Sequence, residues 1–513
     1  MRRLLSVTAQ QVAAVDICRR TSTLATTGAS GFIDRLRGPR PRRRGWPTFL
    51  FAVITAMPMF CTGSAVGASK SVTVSPSENL QTLVDQNPTS TRFTLKPGTY
   101  RLQSVIPKDD DSFVGQTGAI VSGAALLTNF TQAGSYWTAS VDVTEASSYR
   151  GVCSSSSPAC AYPEDLFFNS VPKVRVTSLS AVGAGTWYLN YTTGTAYIGD
   201  DPSGSTVEIS LLPYAFSGNA QSVTLNNLVI EKYACQAGSG AVDGESGSSS
   251  WTVENSEIRY NHGMGVGIGD GMYVYKNNIH NNGELGVGGN GTGGASNVRV
   301  NGNTLSYNNY AGYSVYWEAG GAKFCTVTNL TAANNTSTNN NGPGIWVDLT
   351  SQTVTLSGNQ TSNNVEAGIL YEISYGGTIK NNTLTNDGYN SDGSNLWWGA
   401  GILISDSSDV TITGNTVTNC MNGIGGIIND RGNNPSGVPY TLENVVANQN
   451  TITQNTGTAM GIVVGAGYNN SVYTSMGNNF QDNTFNLTNP STGLYFYWLQ
   501  QYMTLAQFNR AIQ

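Results

Sequence analysis

Acids recur at nearly fixed offsets along this chain. In Gly-Ile-Trp-Val-Asp, Asp348 lies three residues after Ile345; in Gly-Ile-Leu-Tyr-Glu, Glu372 lies three after Ile369. Asp430 falls three after Ile427, Asp406 four after Ile402, and Glu318 five after Tyr313. If each phrase is one turn of a stacked coil, neighbouring backbones lie about 4.8 Å apart. Asp348, Glu372, Asp406 and Asp430 then form one acidic column. Crowding like charges drives one carboxyl to keep its proton while its neighbour stays ionised. Glycoside hydrolysis uses that pairing, with one group as acid and the other as nucleophile or base. Carboxyls about 5–5.5 Å apart suit retention and about 6.5–9.5 Å inversion. Adjacent coils fit the first range, and coils two apart fit the second.

The same acids suit a second chemistry, in which they hold calcium through oxygen ligands. Lys323 or Arg431 would then remove the proton beside a uronate carboxyl. Strand alternation turns Ile345 and Val347 inward and Trp346 and Asp348 outward. Trp317, Trp346, Trp397 and Trp398 lie near the acids in sequence and offer the rigid apolar faces on which sugar rings stack. Arg431 can grip a substrate carboxylate with two prongs. Glu318, Trp317, Lys323, Trp346, Trp397, Trp398 and Arg431 are therefore the expected substrate-binding set. No tryptophan occurs between Trp251 and Trp317, so the expected groove centres on the coils led by residues 313–427. The two histidines, His262 and His280, fit proton transfer or corner hydrogen bonding. Against all of this stands plain turn chemistry: Asp is common wherever strands turn, and a solenoid repeats its turns.

The elements that must position these residues are repetitive. From Val223 onward, Gly-led strands begin near Ala241, Val266, Val287, Tyr313, Ile345, Ile369, Ile402, Ile427, Ile462 and Leu494. Their uneven spacing fits coils with loops of variable length. Before most of them runs a second pattern with Asn277, Asn303, Asn359, Asn382, Asn415, Asn450 or Asn483 at a fixed slot. Asn tolerates left-handed backbone and bonds its own turn, and stacked amides can bond along the column. These asparagines read as structural. Ser77 to Gln86 reads as a short helix capped by Ser77, a lid for the open first coil. Thr504 and Gln507 read as a capping box opening a second lid.

Residues 1–68 differ from the rest. They hold ten of the arginines and two acids, and end in an apolar run from Trp46 to Phe60 followed by small residues. This is the layout of a secretory signal. Residues 1–39 are read as lying upstream of the true start, with a longer basic region as the alternative. The remainder carries a net charge of −14, from 16 basic and 30 acidic residues, against −6 for the whole chain. Such a balance disfavours nucleic acid as a partner. Cys153 and Cys160 bracket a Ser-rich loop and can close a disulfide after export, while Cys235, Cys325 and Cys420 read as buried thiols. The expected organisation is therefore an extension and signal at 1–68 and one all-β solenoid at 69–513. Its clear repeats span 223–500, a β-rich insertion spans about 135–213, and a cap spans 501–513.

Several phrases resemble a group of secreted right-handed parallel β-helix repeat proteins of the pectate-lyase-like superfamily. They are Glu164–Asn169, Val207–Gly218, Trp317–Phe324, GPGIWVD, GILYEISY, Trp397–Ser405 and Asp430–Gly432. That group is named mostly for its fold. The resemblance implies a single-stranded right-handed parallel β-helix with short capping helices. It also implies a superfamily of polysaccharide lyases, epimerases and glycosidases. The paired-Asp and Gly-His-Gly motifs of polygalacturonases and the DPHD motif of alginate epimerases are missing. The resulting expectation is a secreted, monomeric, polysaccharide-active enzyme with no membrane span after removal of the signal. Its catalytic carboxylates are Asp348, Glu372, Asp406 and Asp430. A calcium-assisted lyase or epimerase and a non-catalytic glycan- or surface-binding protein are the alternatives.

Overall fold

Each coil is three short strands separated by corners, and β-branched and aliphatic residues at alternate positions turn into a shared interior. The computed structural model describes residues 70–389 and 397–513, with the side chains of 290–293 outside that description. The expected signal at 1–68 lies outside the described residues.

Three stacks of parallel strands, each called a sheet below, wind around one core, and the first two are joined into one sheet of 22 strands among the described residues. The first sheet includes Gly240–Asp243, Met264–Gly267, Ile345–Asp348, Ala367–Glu372, Ala400–Ser405, Ile424–Ile428, Met460–Val464 and Phe496–Trp498. The second runs from Ser71–Val74 to Val446–Asn448, and the third from Gly98–Arg101 to Thr484–Leu487. Two long strands, Leu285–Ser296 and Gly320–Ala333, continue through the corner and join the first sheet to the second. Inside the first sheet, Ile345, Ile369, Ile402, Ile424, Met460 and Phe496 stack as one buried column. Between Ala124 and Ser210 the chain leaves the solenoid to form two sheets, antiparallel except for the pairing of Val174–Arg175 with Thr186–Asn190, with their own core around Trp187 and Leu166.

Two amide ladders run along the corners. In the first, Asn277, Asn303, Asn335, Asn359, Asn382, Asn415, Asn450 and Asn483 each bond to the next at 2.9–3.0 Å. Each donor amide also reaches a carbonyl of the preceding coil, as Asn303 does to Val274 at 2.9 Å. Asn335 belongs to this ladder although its sequence context hid it. The left-handed turn is taken by the residue before each ladder amide, such as Asn334 or Asn381, rather than by the ladder residue itself. A second ladder was not foreseen: Asn261, Asn282, Asn308, Asn340 and Asn364 continue the pattern and end on Asp387.

Helices close both ends. The first spans Leu80–Gln86, and its cap is Asn79, whose side chain accepts from the Thr82 N–H, not Ser77. The last spans Leu505–Ala511 behind the Thr504–Gln507 capping box, and Phe508 stacks on Phe496 at 4.4 Å. Cys153 and Cys160 form a disulfide, and Cys235, Cys325 and Cys420 are buried free thiols.

Asp387 yields a pH prediction. Burial pushes its carboxyl up to about 6, opposed by hydrogen bonds from Thr361 and Asn364. An acid raised above its unfolded value stabilises the fold while protonated and loses that contribution as pH rises through the folded value. Thermal midpoints should fall by the equivalent of about 1–3 kcal/mol as pH rises from about 4, where the unfolded carboxyl ionises, to about 6, and this contribution should not change further above it. Asp387→Asn should remove that share of the fall.

Candidate active site

The expected acidic column resolves into a pair. Ile345 pairs with Ile369 and Val347 with Tyr371, so Asp348 and Glu372 follow in step at the ends of neighbouring strands. Glu372 pairs with Ser405, which leaves Asp406 one residue past the row, in a left-handed turn at φ 47°. Asp406 is fully enclosed and accepts from the Asn429 N–H at 2.6 Å and the Ser405 hydroxyl at 2.9 Å. It cannot meet a substrate. Asp430 is also displaced. The partner of Ile402 is Ile424, not Ile427, so Asp430 lies beyond the end of its strand, exposed, and accepts only the Gly432 N–H. The coil expected at Tyr313 is corrected in the same way: Leu285 pairs with Gly320, and Tyr313 lies in the loop before that strand.

Cations interleave with the acids. Lys323 sits 2.9 Å from Asp348, donates to the Trp317 carbonyl at 2.6 Å, and lies 3.6 Å over the Trp346 ring. Arg431 pairs with Glu372 and approaches Asp406 at 4.0 Å. Trp346 Nε1 donates to the other Glu372 oxygen at 3.1 Å, so both oxygens of that carboxyl are held. Asp348 also accepts its neighbour Leu349 N–H at 2.7 Å.

Burial raises the Glu372 carboxyl above the ordinary range; Arg431 opposes this and Asp348 adds to it. Burial likewise pushes Asp406 up to about 7, against Arg431. Burial opposes the charge on Lys323, but Asp348, Cys325 and Glu318 outweigh it and hold the ammonium above the usual lysine range. Arg431 is raised in the same sense, with Glu372 and Asp406 overcoming burial. Both cations are thus held in their charged forms, in which neither is a base.

The tryptophans point away from the coil interior as expected, but they do not face water. Trp346, Leu370, Leu403 and Ile427 form an outer apolar layer covered by Trp397. Trp397 is 1% exposed and lies across Gly425, where an added Cβ would fall 2.0 Å from its ring. Trp317 is buried against Tyr313, and Trp398 alone of the four keeps partial exposure. Asp348 at 6%, Glu372 at 3% and Glu318 at 7% retain the residual exposure that Asp406 lacks. Glu318 is raised by burial, against Lys323 and Arg150. It interacts with Glu284, a buried acid missed in the sequence, whose Oε1 has no partner. Its signal was an acid placed directly before a Gly-led strand. His280 bonds Asn281 and Glu257 at a corner.

The model of the right-handed β-helix region matches residues 242–397. XylC, solved in complex with xylose, superposes with a TM-score of 0.57 at 13% identity, over 82% of this chain and 87% of its own. This chain folds as a right-handed parallel β-helix. The periplasmic alginate epimerase AlgG gives a TM-score of 0.43 at 12% identity, over 81% of this chain and 83% of its own. The A-module of the mannuronan C-5 epimerase AlgE6 from Azotobacter vinelandii gives 0.41 at 15%, over 79% and 89%. No curated protein matches the chain in sequence.

On this β-helix, calcium finds a poor donor set among the described residues. No three of the described His, Cys, Asp or Glu side chains group closely enough to hold a metal, and the row acids already face Lys323 and Arg431. Arg431→Gln would leave Glu372 and Asp406 buried without their cation. The variant should lose about 3–5 kcal/mol near neutral pH. Because both acids are raised, protonation on acidification should restore much of the loss, which thermal midpoints over a pH series would reveal.

Proposed function

We propose that this protein is a secreted glycoside hydrolase that acts on a polysaccharide or its fragments with retention, using Asp348 as nucleophile and Glu372 as acid and base. The observation that carries the reading is the shared register of the two acids on adjacent strands. It sets their backbones about 4.8 Å apart, near the separation of about 5–5.5 Å that retention requires. Their environments also differ in the needed direction. Both are buried and ion-paired, Asp348 to Lys323 and Glu372 to Arg431, but burial and the Asp348 charge raise Glu372.

In the first step the Asp348 carboxylate attacks the anomeric carbon while Glu372 gives its proton to the departing oxygen. A glycosyl ester on Asp348 results. Glu372, now a carboxylate, then takes a proton from water as that water attacks the same carbon and frees Asp348. Trp346 and Arg431 hold Glu372 in place through both steps. The capture of XylC with xylose agrees with a sugar ligand on such a scaffold. The Cys153–Cys160 disulfide agrees with an oxidising compartment.

The test is a panel of polysaccharides and aryl glycosides given to the purified chain. New reducing ends are expected, without the ultraviolet-absorbing unsaturated ring that a lyase makes. Asp348→Asn should abolish turnover. Glu372→Gln should cost about 10²–10⁴-fold on natural linkages and much less on aryl glycosides whose leaving groups need no proton. An unsaturated product, epimerised polymer of unchanged length, or binding without any product would overturn the reading.

A further inference from the structure

The insertion is fastened to the solenoid at several points, among them the ion pairs of Glu208 with Arg101 and Lys232, and one contact lies at the Cys153–Cys160 loop. Ser154 N–H donates to Gly312 O at 3.0 Å, and Ser314 N–H to Val152 O at 2.7 Å. Beneath this bridge, Cys160, Ala237, Tyr313 and Trp317 form a buried apolar cluster. Beside it lies His262, 2% exposed, from the solenoid. Its Nδ1 is 3.0 Å from Asp165 Oδ2, and its Nε2 is 2.8 Å from Cys160 O; both acceptors belong to the insertion. Tyr310 donates its hydroxyl to the same Asp165 oxygen at 2.6 Å, and the Tyr313 hydroxyl lies 3.0 Å from Nε2.

A carboxylate and a carbonyl can only accept. A neutral imidazole has one N–H and satisfies one of them; an imidazolium has two and satisfies both. In the neutral Nδ1–H form Nε2 can accept from the Tyr313 hydroxyl instead, so the bond to the Cys160 carbonyl is the one that reads the charge of the ring. A path leads from it to the acid pair: Cys160 shares its buried cluster with Tyr313 and Trp317, whose rings lie 6.0 Å apart, the Trp317 carbonyl accepts from Lys323 at 2.6 Å, and Lys323 holds Asp348 at 2.9 Å.

We propose that His262 is a positioning residue: as an imidazolium it pins the Cys153–Cys160 loop of the insertion onto Tyr313 and Trp317, and through the Trp317 carbonyl and Lys323 it fixes Asp348. The consequence for turnover rests on Asp348 being the nucleophile; the latch itself does not. The groups facing His262 are Asp165 and the more distant Arg175 from the insertion, and Tyr310 and Tyr313 from the solenoid; the buried Cys235 thiol lies close to Asp165 and both tyrosines. Burial and Arg175 oppose the cation, and Asp165 with the Cys160 carbonyl outweighs them, so the ring is raised above the ordinary imidazole range. A raised cation supports the contact at low pH and loses it as pH climbs through the folded value.

The chain has two histidines, so imidazole-labelled protein gives two signals, and His280→Gln assigns them. Backbone hydrogen exchange, corrected for its intrinsic pH dependence, is followed in residues 152–160 and 312–318 between about pH 6 and about pH 9. Protection in both segments should fall together with the His262 titration. In His262→Gln it should be low and independent of pH. Turnover of aryl glycosides by that variant should drop by roughly tenfold to a hundredfold, through kcat rather than KM, and lose the alkaline fall of the parent. Asp165→Asn should shift the parent's titration and its exchange transition to lower pH by the same amount. Protection that stays flat while His262 titrates, or His262→Gln with parental protection and pH profile, would overturn the proposal. If the parent cleaves no glycoside, the exchange data still decide the latch, and only the role of Asp348 is lost.

Discussion

A parallel strand pair has no tight turn to fix its register, and a slip of one residue would turn every side chain to the other face. In this chain the corner amides supply the missing register. Each ladder asparagine donates to the next amide through both its side chain and its backbone N–H, as Asn335 does to Asn359 at 3.0 Å in each case. It also reaches a carbonyl one coil back, at Val300. A slipped coil would strand several buried polar groups at once, each costing about 1–3 kcal/mol. Positions 348 and 372, which are 24 residues apart in sequence, are thereby held side by side.

That fixed register lets charge accumulate where burial would otherwise forbid it. The outer side of the first sheet carries Glu318, Lys323, Asp348, Glu372, Arg431 and Asp406, with each cation touching at least one acid. The surrounding layer of Trp346, Leu370, Leu403 and Trp397 excludes water, which strengthens each pairing and raises the penalty for breaking it. Within the row the acids are unequal. Asp406 is enclosed and serves Arg431, whereas Asp348 and Glu372 lie at the margin of the layer. The apolar roof thus does two things: it withdraws tryptophans from water and it shifts the proton affinity of Glu372.

Features set by local repetition were legible in the sequence. The matched offsets of Asp348 and Glu372, the first amide ladder and the C-terminal capping box all follow from patterns within a few residues. The second ladder was legible too, because Asn282, Asn308, Asn340, Asn364 and Asp387 each lie five residues after a member of the first. Register failed where glycine blurred it. Gly-Ile-Gly-Gly-Ile-Ile offers two candidate lead residues, and the choice of Ile427 over Ile424 put Asp430 in the wrong place. Exposure failed for a different reason. Alternation gave Trp346 its direction, but whether that direction meets water depends on Trp397, which arrives from another coil and settles over Gly425. Contacts of the insertion with His262 join residues about a hundred positions apart, and no local pattern encodes them.

The stereochemistry of the first product tests the adjacency of the two acids most directly. Proton nuclear magnetic resonance would follow the anomeric signal of the sugar released in the first moments of hydrolysis, before mutarotation. Carboxylates on neighbouring coils predict that the product keeps the anomeric configuration of the substrate. Release of the opposite anomer would mean that a water fits between the reacting groups, and the pairing of Asp348 with Glu372 would be wrong.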